Sequence, residues 1–243
     1  MDRQLIGKLT GIARYPVKSM AGEELASVRL EAYGVYGDRI HAFIEKGIEG
    51  WDRYLTAREL PKLLSYQAAY EVGGIGLPSV QVTAPDGTVH AWNEQFLAEI
   101  QPQTKRAITM LRCEPDGDSL MAVDAGGLLL ITDRMLRRLE NLLGYPVDRR
   151  RFRANLVVAL EEDDAMEDEA LIGQQLVIGD AIVEVVEVCE RCMMITIDPD
   201  TLERDPAILR KVSDEMGTLF GLYASVVQPG EVRTGDNVYI VKG

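Results

Sequence analysis

Three groups of residues in this sequence have the types and spacing for chemistry. The densest is Arg149-Arg150-Arg151-Phe152-Arg153-Ala154-Asn155, four guanidinium groups followed by an amide. Read as a strand, its alternation predicts Arg149, Arg151, Arg153 and Asn155 on one face, with Phe152, Ala154 and Leu156 turned to a core. Planar guanidinium forks ending in an amide suit a phosphate or a polar heterocycle. The alternative is a solvated edge strand balanced by the acidic stretch 161–169, itself expected as a solvated loop. The second group is Lys18-Ser19, directly after Tyr15-Pro16-Val17, with Gly37-Asp38-Arg39 further on. An ammonium, a hydroxyl and backbone N–H groups at a strand end can hold an anion. A surface turn, and a turn glycine ahead of a strand-opening arginine, are the structural alternatives.

The third group is Cys189-Glu190-Arg191-Cys192. A closed zinc site takes about four ligands, and Cys113, His41 and His90 stand at no zinc-motif spacing from this pair. A thioredoxin-type dithiol wants the pair to open a helix after a strand. Here Met193-Met194-Ile195-Thr196-Ile197-Asp198-Pro199 reads as a strand instead, so neither zinc binding nor dithiol exchange is expected. Two inert buried cysteines are one reading. A thiolate is the other, with Arg191 beside Cys192 favouring the ionised sulfur. His41 and His90 are too few for histidine-based catalysis, and there is no nucleophile elbow, Walker loop or dinucleotide fingerprint.

Such groups need a scaffold, and composition bounds it. The chain has 243 residues, 47% hydrophobic and 27% charged, enough apolar material for one large or two small globular domains. Three cysteines, an odd and small number, argue against a disulfide framework and fit a reducing compartment. The net charge of −13 is the reverse of what a nucleic acid or an anionic membrane attracts, and it makes a local arginine cluster conspicuous. The apolar runs are too short to span a bilayer, and the N-terminus lacks the pattern of a secretion signal. The expected location is the cytoplasm.

Short β-type segments separated by Gly, Asp and Asn turns dominate the chain. Strands are predicted over 5–15, 25–32, 39–45, 80–84, 88–92, 176–178, 181–189 and 238–241, with Pro85-Asp86-Gly87 and Gly179-Asp180 as turns. Three helices are predicted. Thr132 caps one that Gly144 ends; Asp205 caps another, with Pro206 in its first turn and Gly217 after it; a third covers 93–100. Many closely spaced strands and few short helices predict a mainly β fold of barrel type. A soft boundary is expected in the loop near 113–118.

Taken in order, these pieces resemble one family. They are Pro16-Val17-Lys18-Ser19, Gly37-Asp38-Arg39, Thr56-Ala57-Arg58 with Pro61, Arg151-Phe152-Arg153-Ala154-Asn155, Cys189-Glu190-Arg191-Cys192, Asp198-Pro199-Asp200-Thr201, Leu219-Phe220-Gly221-Leu222-Tyr223, Gly230 and Gly235-Asp236. The set resembles the MOSC family, named for the C-terminal domain of molybdenum cofactor sulfurases, and runs over nearly the whole chain. The resemblance implies an N-terminal MOSC-associated β-barrel over 1–112, a MOSC β-barrel over 113–243, and a cofactor site between the two. It is nearest to members that reduce amidoximes and other N-hydroxylated compounds. By that likeness Cys192, the second cysteine of the C-x-R-C motif, is the molybdenum ligand and the catalytic residue, and Arg191 contacts the cofactor. Lys18, Ser19 and Arg39 hold the pterin's phosphate, and Arg153 and Asn155 add cofactor contacts. Two positions depart from the family: Ala154 stands where proline is frequent, and Glu190 where amidoxime-reducing members carry a small polar residue.

The implied cofactor is Mo-molybdopterin. The implied function is reduction of a small N-hydroxylated substrate to an amine or amidine and water. Neither the pyridoxal-phosphate domain of full sulfurases nor an appended ferredoxin domain is expected in this chain, so electrons come from an external flavin or iron–sulfur partner. The family offers two other roles, a sulfur carrier or sulfur-transfer protein using a cysteine persulfide and a non-catalytic molybdenum cofactor carrier. No nucleic-acid or membrane partner is expected.

Overall fold

In the computed structural model of the chain, residues 2–71, 79–114, 122–123, 125–161 and 167–242 are described. The largest sheet closes on itself. Its strands run in the order Asp2–Arg14, Leu156–Leu160, Leu128–Thr132, Leu219–Gln228, Ala181–Glu190, Gln175–Ile178 and Asn237–Lys242, and the last pairs with the first. The result is a seven-stranded barrel. Ile6, Leu9 and Ile12 from the first strand, whose register shifts between Leu5 and Gly7 and between Leu9 and Gly11, meet Leu128, Leu130, Leu156, Val158, Val183, Val185, Leu222 and Ile240 in one core. All ladders are antiparallel except that between Leu128–Thr132 and Leu156–Leu160. A parallel pair needs a long crossover, and it is this crossover that carries the arginine cluster.

Among the described residues there are three α-helices, α1 (Glu94–Ile100), α2 (Asp133–Leu143) and α3 (Pro206–Met216). Each starts at a side-chain cap, Asn93, Thr132 and Asp205 respectively. Gly144 and Gly217 end α2 and α3 at φ of 79° and 60°, the left-handed turn that costs glycine least. Helices α2 and α3 lie against each other, α2 on the outer side of the parallel pair and α3 on Leu219–Gln228, and Leu128–Thr132 is buried along its whole length. None of the helices is long and apolar enough to cross a membrane.

Residues 15–113 build smaller sheets. Gln67–Tyr70, Val80–Thr83 and Val89–Ala91 form one, His41–Glu45 and Ile108–Arg112 another. Their core gathers Val17, Met20, Phe43, Leu55, Tyr66, Phe96 and Ile100. Strands are exchanged in both directions between the halves of the chain. Asp2–Arg14 completes a barrel otherwise made of residues after 127, and Gly230–Arg233 pairs with Ser27–Glu31.

Two predicted strands are not strands. Arg149–Phe152 is a 3-10 turn, because the Asp148 carboxylate accepts from Arg150 N at 2.8 Å and caps it. Met193–Thr196 is a second such turn, followed by Asp198, whose carboxylate accepts from the N–H groups of Asp200 and Thr201. At Asp148 a short acidic side chain takes a backbone donor that a ladder would need, and at 193–196 the local carbonyls of Cys192 and Met194 take those of Ile195 and Ile197. The expected solvated loop over 161–169 is also corrected in part. Residues 162–166 lie outside the described residues, but Asp168 is buried, accepts from the Thr132 hydroxyl at 2.8 Å and pairs with Arg134. Residues 115–118 of the expected boundary loop lie outside the described residues as well.

Candidate functional site

The first strand ends at Arg14, and the chain then runs alongside residues 38–41. Asp38 Oδ1 accepts from Tyr15 N at 2.7 Å, Arg39 N donates to Tyr15 O at 2.7 Å, and Lys18 N donates to His41 O at 2.8 Å. These bonds bring Lys18, Ser19 and Arg39 together. Lys18 is not on a surface turn: it is buried, its Nζ donates to Ala122 O at 3.0 Å, and it lies 4.1 Å from the Trp51 ring centroid. Arg39 donates from Nη1 to Asp38 and to Asn155 Oδ1 (3.2 Å), and from Nη2 to Arg153 O (3.0 Å).

The arginine cluster, being a turn, fans its side chains out rather than lining them on one face. Arg149 pairs with Glu24 at 2.8 Å, and Arg150 with Asp148 and Asp200. Arg151 donates to Thr196 O and pairs with Asp198 at 2.7 Å. Arg153 donates to Met20 O at 2.7 Å, with its guanidinium over the Tyr15 ring. Burial raises the Tyr15 pKa, against the pull of Arg153 and Arg39, so the ring stays neutral.

The two cysteines differ. Cys189 closes the strand Ala181–Glu190 and is buried. Cys192 is half-buried and precedes the turn Met193–Thr196, and among the described residues its thiol makes no hydrogen bond. Arg191 was expected beside the Cys192 sulfur, yet its Nη1 donates to Cys189 Sγ at 3.0 Å and its Nη2 to Phe152 O at 2.8 Å. The Arg191 Nε is buried and has no partner among the described residues.

These elements converge on one cavity of about 750 Å³. Lys18, Ser19, Arg39, Thr56 and Arg58 line it from the first half of the chain; Arg151, Arg153, Cys189, Glu190, Arg191, Cys192, Met194 and Tyr223 line it from the second. Six cationic side chains therefore face two carboxylates, Glu187 and Glu190, in a chain whose net charge is −13. That local inversion of charge fits an anion, and Cys192 adds a soft donor beside it. Asn155 stands behind the cavity: its Oδ1 accepts from Leu129 N and Arg39, and its Nδ2 donates to Ala13 O. Thr56, Arg58 and Tyr223 received no chemical role from the sequence, whereas Arg151 was expected on an anion-binding face with Arg149, Arg153 and Asn155. Thr56 and Arg58 were visible in the ordered motif set, and Arg151 was visible as a member of the cluster. Tyr223 carried only its place beside Gly221 and Leu222.

A closed β-barrel packed against smaller sheets, with a cation-lined cavity and a thiol, Cys192, that makes no hydrogen bond among the described residues, defines a protein fitted to hold an anionic ligand beside sulfur. The family model of the MOSC domain matches residues 118–239, and that of the MOSC N-terminal beta barrel domain matches residues 6–127. The chain belongs to the MOSC family. Mitochondrial amidoxime-reducing component 1 of Homo sapiens is 31% identical, over 98% of this chain and 84% of that protein. Component 2 of Homo sapiens is 26% identical over 97% and 84%. A molybdenum cofactor sulfurase of Drosophila grimshawi is 27% identical over 95% of this chain, which spans 33% of that longer protein. The YUAD protein from Bacillus subtilis superposes with a TM-score of 0.50 over 98% of this chain and 97% of its own at 14% identity, a likeness of fold.

Proposed function

We propose that this chain binds a molybdenum–pterin cofactor in the 750 Å³ cavity and reduces small N-hydroxylated compounds with it. The observation that carries the reading is the pairing of Cys192, a half-buried thiol without a hydrogen bond, with four cations named from the sequence, Lys18, Arg39, Arg153 and Arg191, in one cavity. The donor set fits such a group. Among the described residues no cluster of three or more His, Cys, Asp or Glu side chains is placed to hold a bare metal ion. One protein thiolate with the remaining ligands brought by the cofactor accords with that. Cys192 would ligate the metal, Lys18, Ser19, Arg39 and Arg153 would hold the phosphate, and Arg191 would steady the cofactor beside Cys189. Asn155 contributes by holding Arg39. The resemblance to amidoxime-reducing relatives supports this assignment.

When bound, the cofactor supplies a two-electron couple able to take oxygen from an N–OH group. The overall change consumes two electrons and two protons and yields the N–H product and water. Glu187 and Glu190 put carboxylates in the same cavity, where they can relay protons. The electrons come from a separate flavin or iron–sulfur protein. The test is protein made in a host competent for cofactor synthesis, examined by metal analysis, absorbance, and turnover of an N-hydroxylated base with an artificial electron donor. Stoichiometric molybdenum and turnover are expected. A cyanide-labile persulfide on Cys192 without molybdenum would move the protein to sulfur transfer, and molybdenum without turnover would make it a carrier.

A further inference from the structure

Arg151, Arg153 and Met194 form a wall with a cavity on either side: the one beside Cys192, and a second of about 410 Å³ that no cysteine lines. Both halves of the chain build the second cavity. The first strand, residues 21–24 and the turn Pro61–Ser65 contribute from one half, and residues 149–154 and 194–200 from the other. Its floor is apolar. Ile12, Leu64, Ala154, Val157 and Ile197 are buried there, and Met194 is half-buried. At Gly22 an added Cβ would meet Arg14 O at 2.2 Å, so no larger residue can stand at that point of the lining.

The rim is charged, and its charges are already matched. Glu23 pairs with Arg14, Glu24 with Arg149, Asp200 with Arg150, and Arg151 with Asp198. Arg153 meets the Met20 carbonyl and the Tyr15 ring. An ion entering here would break one of these contacts or give up its hydration for no partner. The polar groups with capacity to spare are neutral. The Gln67 side-chain amide makes no hydrogen bond among the described residues, and the Ser65 hydroxyl, which donates to Lys62 O at 2.7 Å, can still accept one. This volume, an apolar floor and a few neutral polar groups are the attributes of a small-molecule site. Moving water off such a floor favours an apolar occupant.

We propose that the second cavity binds an uncharged, largely apolar small molecule carrying an amide or hydroxyl group, at a site separate from the one beside Cys192. The inference goes beyond the reductase reading and stands whether or not the larger cavity holds a cofactor. Its test uses three probes of one size and shape, benzamide, benzoate and benzamidinium, titrated into the full chain and followed by calorimetry. Benzamide is expected to bind saturably at one site. Benzoate and benzamidinium should bind there at least about tenfold more weakly, because each brings a charge that finds no free partner. Ser65→Phe and Gln67→Trp, which place a ring in the second cavity, should each weaken benzamide by about tenfold or more, since filled space does not repack freely. Glu187→Trp, which crowds the larger cavity alone, should leave it within about threefold, the range of an exposed substitution. Melting temperatures report whether each variant folds; should neither filling variant fold, the Glu187→Trp result and the order of the three probes decide. If benzamide does not bind, or if Glu187→Trp rather than the filling variants displaces it, the proposal falls. Benzoate binding more tightly than benzamide at the Ser65-sensitive site would make this an anion cavity and overturn the class of ligand.

Discussion

Two cavities share one wall. Behind the 750 Å³ site lies a second of about 410 Å³, and Arg151, Arg153 and Met194 line both. Each is rich in arginine, but the partners differ. In the smaller cavity Arg149 meets Glu24, and Arg150 meets Asp148 and Asp200, carboxylates that raise the Arg150 pKa above its ordinary value. In the larger one Arg153 donates to Met20 O, Arg191 to Phe152 O and Lys18 to Ala122 O, with rings packed over all three cations, while Arg39 and Arg151 pair with Asp38 and Asp198. Carbonyls and rings fix a cation and leave its charge in place; carboxylates offset it. Of four neighbouring arginines, Arg149 and Arg150 line only the smaller cavity and meet carboxylates, Arg151 lines both and pairs with Asp198, and Arg153 lines both and meets a carbonyl and a ring.

The largest effect should separate the two sulfurs. Cys192→Ala is expected to leave a folded protein with molybdenum near background, whereas Cys189→Ala keeps most of it. Metal analysis after expression in a cofactor-competent host decides this, and equal losses would mean a shared or different site. The next test sets one cavity against the other. Charge-assisted hydrogen bonds contribute about 1.5–3 kcal/mol each, so Arg39→Ala should weaken cofactor retention roughly tenfold or more. Arg149→Ala, whose exposed ion pair is worth about 0–1 kcal/mol, should change it less than about threefold. Parity between these variants would erase the distinction between the cavities.

Much of the scaffold was legible because its signals are local. Thr132 and Asp205 cap helices where caps were predicted, and Gly144 and Gly217 end them. β-type segments between turn residues located four of the seven barrel strands, and Leu128–Thr132, Leu156–Leu160 and Leu219–Gln228 were missed. The arginine turn was misread for the same reason: alternating polar and apolar residues imitate a strand, and the cue against it, Asp148 capping Arg150 N, is one carboxylate. The site itself was hardly legible from chemistry alone. Lys18 is buried only because Trp51, Tyr54 and Ala122 arrive from distant parts of the chain. Arg191 turns to Cys189 because Phe152 O lies within its reach. The ordered likeness to a family, not the spacing of any one motif, picked out these positions.

His41 sharpens the comparison from the opposite side. It too packs against rings, those of Tyr70 and Trp92, yet its Nδ1 has no partner among the described residues. Burial first, and then Arg112, push its pKa down to about 4. A hydrogen bond with the Pro16 backbone pulls the other way but is outweighed, so His41 stays neutral. The unfolded chain binds the extra proton below the ordinary histidine pKa of about 6.5. Stability is therefore full above that value and is lost as pH falls through about 4. Denaturant unfolding between those limits should show a loss on the order of 2–3 kcal/mol, since each unit is worth about 1.4 kcal/mol. His41→Phe, which retains ring packing, should flatten that part of the profile. An unchanged slope would place the acid sensitivity elsewhere.

The smallest expected effect concerns backbone strain. Ser19, Arg39, Arg153, Leu202 and Thr218 are the described non-glycine residues at positive φ, and the first three line the site cavity. A left-handed backbone costs an L-residue about 1–2 kcal/mol, and glycine escapes that cost while losing about 0.5–1 kcal/mol more through unfolded-chain entropy. Ser19→Gly should therefore stabilise the protein by up to about 1 kcal/mol in denaturant unfolding. The same change removes a hydroxyl from the cavity and lets the Lys18–Met20 turn relax, so phosphate affinity should fall severalfold. Thr218→Gly, with φ 70° and no place in that cavity, is the control. It should gain stability with phosphate binding unchanged. If both variants behave alike in binding, Ser19 is a turn residue that happens to face the cavity, and its strained backbone serves the fold. If stability and affinity move in opposite directions only at Ser19, the left-handed turn is kept for the ligand it presents donors to, at the expense of the folded chain.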